Sequence, residues 1–87
     1  MNLLDHQIKK LRKEIDIIDK KIIMLLDERF EIVKRIGVIK KRLKLPITDK
    51  KREKEILTKV NKISFNYSKQ ITKLYTHIIK LSKGIER

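Results

Sequence analysis

An unbroken apolar seam along the first half of the chain constrains its fold more than any other feature. Leu4, Ile8, Leu11, Ile15, Ile18, Ile22, Leu25, Ile32, Ile36, Ile39 and Leu43 follow alternating steps of four and three residues. One step breaks the pattern, where Arg29 takes the apolar place. A sustained 3.5-residue repeat marks a helix whose stripe lies against another helix. No Pro interrupts the run, and its only Gly is Gly37. A helix over residues 4–43 would be about 60 Å long. A compact domain of 87 residues has a radius of gyration of only about 12 Å. The seam therefore predicts that a second chain supplies most of the partner surface, in a homodimer.

The remainder reads as two shorter helices. Pro46 ends the first helix, and Lys44-Leu45-Pro46-Ile47-Thr48 is a short connection. Asp49 is the preferred N-cap of the second, with Arg52 at the third helical position; Thr48 is the alternative. That helix is expected over about 50–63, with Ile56, Leu57, Val60 and Ile63 inward. Ser64-Phe65-Asn66-Tyr67-Ser68 is a polar-aromatic break. The third helix is expected over about 67–84, with Ile71, Leu74, Tyr75, Ile78 and Ile79 as its apolar stripe and Gly84 as its C′ stop. No strand pattern or repeat stands out. The expectation is one all-α domain over residues 1–87, three helices with a very long first one.

Charge narrows the partners less than its size suggests. The formal net charge is +13, which favours anionic partners such as nucleic acid, anionic membrane or small acidic metabolites. Yet the chain carries 18 Lys and 16 Ile and no Ala, a bias that makes most lysines ordinary solvated helix faces. There is no Cys, so disulfides and thiolate metal sites are excluded. His6 and His77 have no metal-ligand spacing. No apolar run has the length of a signal peptide core or a membrane span, and a cytoplasmic protein with no membrane partner is expected.

The informative cations are those a solvated face does not explain. Arg29 sits on the seam, where a lone buried guanidinium is costly unless it is paired or binds an anion. Snorkelling to solvent, or pairing with Asp27, Glu28 or a partner-chain carboxylate, is one reading, and an anionic ligand is the other. Lys40 follows eleven residues later, about 20° past three full turns and about 16 Å along the axis. The two heads could reach toward each other and leave room for a small dicarboxylate. Arg12 precedes Arg29 by about 25 Å of helix, so it cannot share that ligand within one chain. In an antiparallel two-fold dimer it approaches the middle of the other chain, giving two equivalent sites. Ser82 lies on the third helix's apolar stripe, and Glu86 is one turn further on the same face. Glu86 is the only acidic residue after Glu55, at a helix end where the macrodipole does not favour it. Gly37 either permits close approach of a neighbouring helix or ligand, or is simply tolerated.

With these positions in view, the sequence resembles a known family. Leu11-Arg12-Lys13-Glu14-Ile15-Asp16-x-x-Asp19, Leu25-Leu26-Asp27-Glu28-Arg29, Lys40, Pro46-Ile47-x-Asp49-x-x-Arg52-Glu53 and Ile78-Ile79-x-x-Ser82-x-x-x-Glu86 are similar, in order and spacing, to the all-helical (AroQ, type II) chorismate mutases. The resemblance covers essentially the whole chain. It implies an intertwined homodimer that rearranges chorismate to prephenate, in phenylalanine and tyrosine biosynthesis, by a concerted pericyclic shift. That chemistry involves no nucleophile, metal or cofactor. The enzyme holds a compact conformer and stabilises charge developing on the breaking ether oxygen.

The resemblance also implies roles. Arg29 grips one substrate carboxylate, and Arg12 of the other subunit grips the second, in bidentate fashion. Lys40 donates to the ether oxygen and a neighbouring carboxylate. Arg52 lies beside the site and orients Glu53 or other groups. Glu53 accepts from the substrate hydroxyl, helped by the backbone around Asp49, and Ser82 contacts a carboxylate or hydroxyl. Many relatives have Gln where this chain has Glu86. A carboxylate donates only when protonated, so Glu86 is expected to act as the neutral acid, with activity favoured at mildly acid pH. Isochorismate pyruvate-lyases share the fold and the arginine-lysine constellation; the short Leu43–Thr48 connection and the Asp49-x-x-Arg52-Glu53 motif lean toward the mutase. A basic helical dimer binding nucleic acid is a more distant alternative. It has few stacking aromatics and no recognition-helix motif, and it gives no reason for Arg29. No nucleic-acid partner is expected.

Overall fold

A computed structural model describes residues 2–87, and every element in it is a helix: α1 Leu3–Leu43, α2 Lys50–Ile63 and α3 Ser68–Glu86. The chain divides into two compact units, one ending at Glu31 and the other comprising Ile32–Arg87, and α1 contributes to both.

The first unit is a single helical stretch. Its start is fixed by a reciprocal cap that the seam does not advertise. The Asp5 amide donates to Asn2 Oδ1 at 2.9 Å, and the Asn2 amide donates to Asp5 Oδ2 at 3.4 Å. Two donors that the helix leaves unpaired are satisfied in this way. Leu4, Ile8, Leu11, Ile15, Ile18, Ile22 and Leu25 are all exposed, so nothing within the unit covers the stripe.

The second unit holds all the buried hydrophobic residues among those described: Val33, Val60, Ile78 and Ile79. The α1 seam continues here as Ile32, Ile36, Ile39 and Leu43, again exposed. A neighbouring face of α1 instead meets α3, with Val33 and Gly37 buried. A Cβ on Gly37 would lie 2.6 Å from the Glu86 carbonyl oxygen and 2.7 Å from its Cα. Close approach of a helix is therefore what this glycine permits.

The turn out of α1 explains how its last lysines are aimed. Lys44 adopts a left-handed φ of 56°. Its amide donates to the Lys41 carbonyl at 3.3 Å, and the Leu45 amide donates to the Lys40 carbonyl at 2.8 Å. This paired closure is the usual helix stop, made here without Gly. Pro46 follows and disfavours helical backbone at Leu45. Asp49 then caps α2, its Oδ1 accepting from the Arg52 amide at 3.0 Å, as expected.

Three local expectations are corrected. Gly84 does not stop α3, which runs to Glu86 with the Arg87 amide on the Lys83 carbonyl. The extra turn is held by long-range contacts of Glu86, and no glycine among the described residues has positive φ. Ile63, at 82% exposure, is not inward, because α2 ends there and the chain turns away. Leu74 is exposed as well; Ile71, Tyr75, Ile78 and Ile79 lie on the covered side of α3.

Candidate active site

The strongest polar cluster lies where the end of α1 meets the end of α3. Lys40 Nζ is 2.7 Å from Glu86 Oε1, with side-chain exposures of 18% and 9%. The same ammonium donates to the Ile47 carbonyl at 2.9 Å. The Lys44 turn brings that carbonyl back over the last turn of α1. Gly37, one turn before Lys40, lets the α3 backbone come near enough for Glu86 to reach the lysine. A low-exposure cation held by two oxygens is oriented rather than freely rotating, and its charge is less screened than at an open surface.

Ser82 is buried one turn before Glu86. Its hydroxyl donates to the Ile78 carbonyl at 2.7 Å. Glu53 reaches from α2 toward α3, with Oε1 3.5 Å from Lys83 Nζ. Its Oε2 is buried and has no hydrogen-bond partner, alone in this respect among the described side chains. Buried polar atoms almost always find partners, so this acceptor is suited to a donor from a ligand.

The expected residues thus divide. Lys40, Ser82 and Glu86 are brought to the meeting of α1 and α3, and Glu53 is bridged onto α3. The Arg52 guanidinium lies 3.5 Å from Glu55 Oε2, with both side chains about half exposed. Asp49 serves as a cap. Arg12 is exposed and Arg29 half-buried, both within the first unit. His6 and His77 are exposed, and no cluster of metal-ligating side chains occurs among the described residues. No helix among the described residues is long and apolar enough to cross a membrane. Two partners escaped the sequence reading: Lys83, one of many lysines with no distinguishing signal, and the Ile47 carbonyl, which only the turn geometry reveals.

Comparison with known proteins gives this geometry a context. The family model for chorismate mutase type II matches residues 11–87. The chorismate mutase of Methanocaldococcus jannaschii is 33% identical over 85 residues, covering 94% of this chain and 86% of that protein. The bifunctional chorismate mutase/prephenate dehydratase of Aquifex aeolicus is 48% identical over 59 residues; the match covers 68% of this chain and spans only 16% of that longer protein. The crystal structure of chorismate mutase from Helicobacter pylori in complex with prephenate superposes with a TM-score of 0.83 at 35% identity, covering 93% of this chain and 90% of that one. With its three helices, its very long first helix and a match running from Leu11 to the last residue, the chain belongs to the chorismate mutase type II family.

Proposed function

We propose that this chain is a chorismate mutase, an isomerase that converts chorismate to prephenate. The observation that carries the reading is the Lys40 ammonium, oriented between Glu86 and the Ile47 carbonyl at low exposure, in a chain of this family. The reaction is a concerted pericyclic shift in which the ether C–O bond breaks as a C–C bond forms. No group is transferred to the protein, so catalysis is conformational restraint plus electrostatic stabilisation. On binding, Lys40 donates to the ether oxygen and an adjacent carboxylate. Glu86 holds that ammonium toward the ether oxygen through their 2.7 Å pair. Glu53 accepts the substrate hydroxyl on Oε2, with the backbone near Asp49 alongside, and Ser82 contacts a carboxylate or hydroxyl. Arg52 stands at the margin of the site. Arg29 takes one carboxylate.

Arg12 of a second copy takes the other carboxylate, in a homodimer built on the exposed seam. Fully burying an exposed Leu or Ile side chain contributes roughly 1.5–3 kcal/mol; the eleven seam residues are already about half covered, so each contributes less than that when a second copy covers it. The domain is residues 1–87 as one catalytic unit, located in the cytoplasm, with a small dianionic substrate and no nucleic-acid or membrane partner.

Assaying the purified chain on chorismate and isochorismate tests the reading. Loss of chorismate with appearance of prephenate supports it. Release of pyruvate from isochorismate, with chorismate untouched, would assign the lyase activity instead. Tight, salt-sensitive DNA binding without either activity would overturn both.

A further inference from the structure

We propose that Lys83 is a positioning residue for Glu53; this rests on the mutase reading above. Lys83 follows Ser82 directly, so its side chain leaves the buried face of α3 at its edge and reaches α2. The Nζ–Oε1 distance is 3.5 Å, and both side chains are near 28% exposed. It is the single ion pair between α2 and α3 among the described residues. The consequence lies on the other oxygen. A carboxylate rotates about its last torsion, which is broad and roughly two-fold. With Oε1 tethered to the ammonium, that rotation is restricted and Oε2 is held at its buried, unpartnered position. An acceptor fixed in this way loses little further freedom on meeting a hydroxyl. Lys83 acts through Glu53 and not on the reacting bonds.

The contact between Glu53 and the substrate hydroxyl is made equally in the bound substrate and in the transition state, because the hydroxyl takes no part in bond making or breaking. Loosening it removes uniform binding, which raises KM and leaves kcat nearly unchanged. For Lys83→Met, similar in length and lacking the charge, KM for chorismate should rise about five- to tenfold with kcat within about twofold of the parent. Lys83→Arg, which keeps a cation within reach of Oε1, should restore KM to within about twofold. In a Glu53→Gln background, Lys83→Met should have almost no further effect, since the tethered group has lost its charge.

Three results overturn the assignment. These are an unchanged KM in Lys83→Met, an equal fall in kcat, or full additivity with Glu53→Gln, which would make Lys83 a direct ligand of the substrate. Should the parent chain leave chorismate untouched, the mutase reading fails and this assignment falls with it. A parent that turns chorismate over while Lys83→Met behaves identically refutes the assignment alone.

Discussion

Replacing Gly37 by Ala probes the packing on which the site depends, and two opposing effects can be weighed. In an exposed helix interior, Gly→Ala stabilises by about 0.8–1 kcal/mol. Here the added Cβ would stand 2.6 Å from the Glu86 carbonyl oxygen and 2.7 Å from its Cα, where ordinary contact begins at 3.4 Å. The shortfall of 0.8 Å falls on backbone atoms, which cannot swing aside as the end of a flexible side chain can. Overpacking of this kind costs about 1–3 kcal/mol. A hard backbone contact belongs at the upper end, leaving a net loss of about 1–2 kcal/mol. For a domain of this size that lowers Tm by roughly 5–15 °C, measured at fixed protein concentration because association would also shift it. Displacing Glu86 also lengthens its 2.7 Å contact with Lys40. A misplacement near 1 Å in a catalytic group can cost about a hundredfold, so kcat/KM should fall by about ten- to a hundredfold. A Gly37→Ala chain with a higher Tm and unchanged activity would refute the reasoning, because the glycine would then be an ordinary helix residue.

Lys44→Gly should stabilise by about 0.5–1 kcal/mol in denaturant unfolding, since Gly adopts the left-handed stop without the cost that Lys bears at φ 56°. Ile22→Lys places a charge in the middle of the exposed seam and should shift sedimentation from dimer toward monomer and abolish activity. Glu86→Gln should retain activity, because an amide oxygen can still accept from Lys40 while the amide nitrogen can donate to the ether oxygen. A Glu86→Gln chain as slow as Lys40→Ala would refute this.

The parts legible in the sequence are those written in local chemistry. The seam predicts α1, Pro46 and Asp49 bracket the start of α2, and Ser82 and Glu86 are marked out by polar side chains on the apolar face of α3. What escaped depends on contacts distant in sequence. Gly84 reads as a stop because glycine so often ends helices, yet α3 continues because Lys40 and the Gly37 backbone hold Glu86 from more than forty positions away. Lys83 is indistinguishable among 18 lysines until α2 and α3 pack and bring Glu53 to it. Arg52 reaches Glu55, three residues on along the same helix face, a partner that the family resemblance does not name.

The most direct test measures chorismate loss by the parent and by Lys40→Ala, with helical content compared by circular dichroism. Removing a preorganised donor to developing charge typically costs about 10²–10³ in rate. The parent should therefore turn chorismate over, and Lys40→Ala, still fully helical, should be slower by about that factor. Equal rates for the two folded chains would contradict the claim that this ammonium stabilises the breaking ether bond.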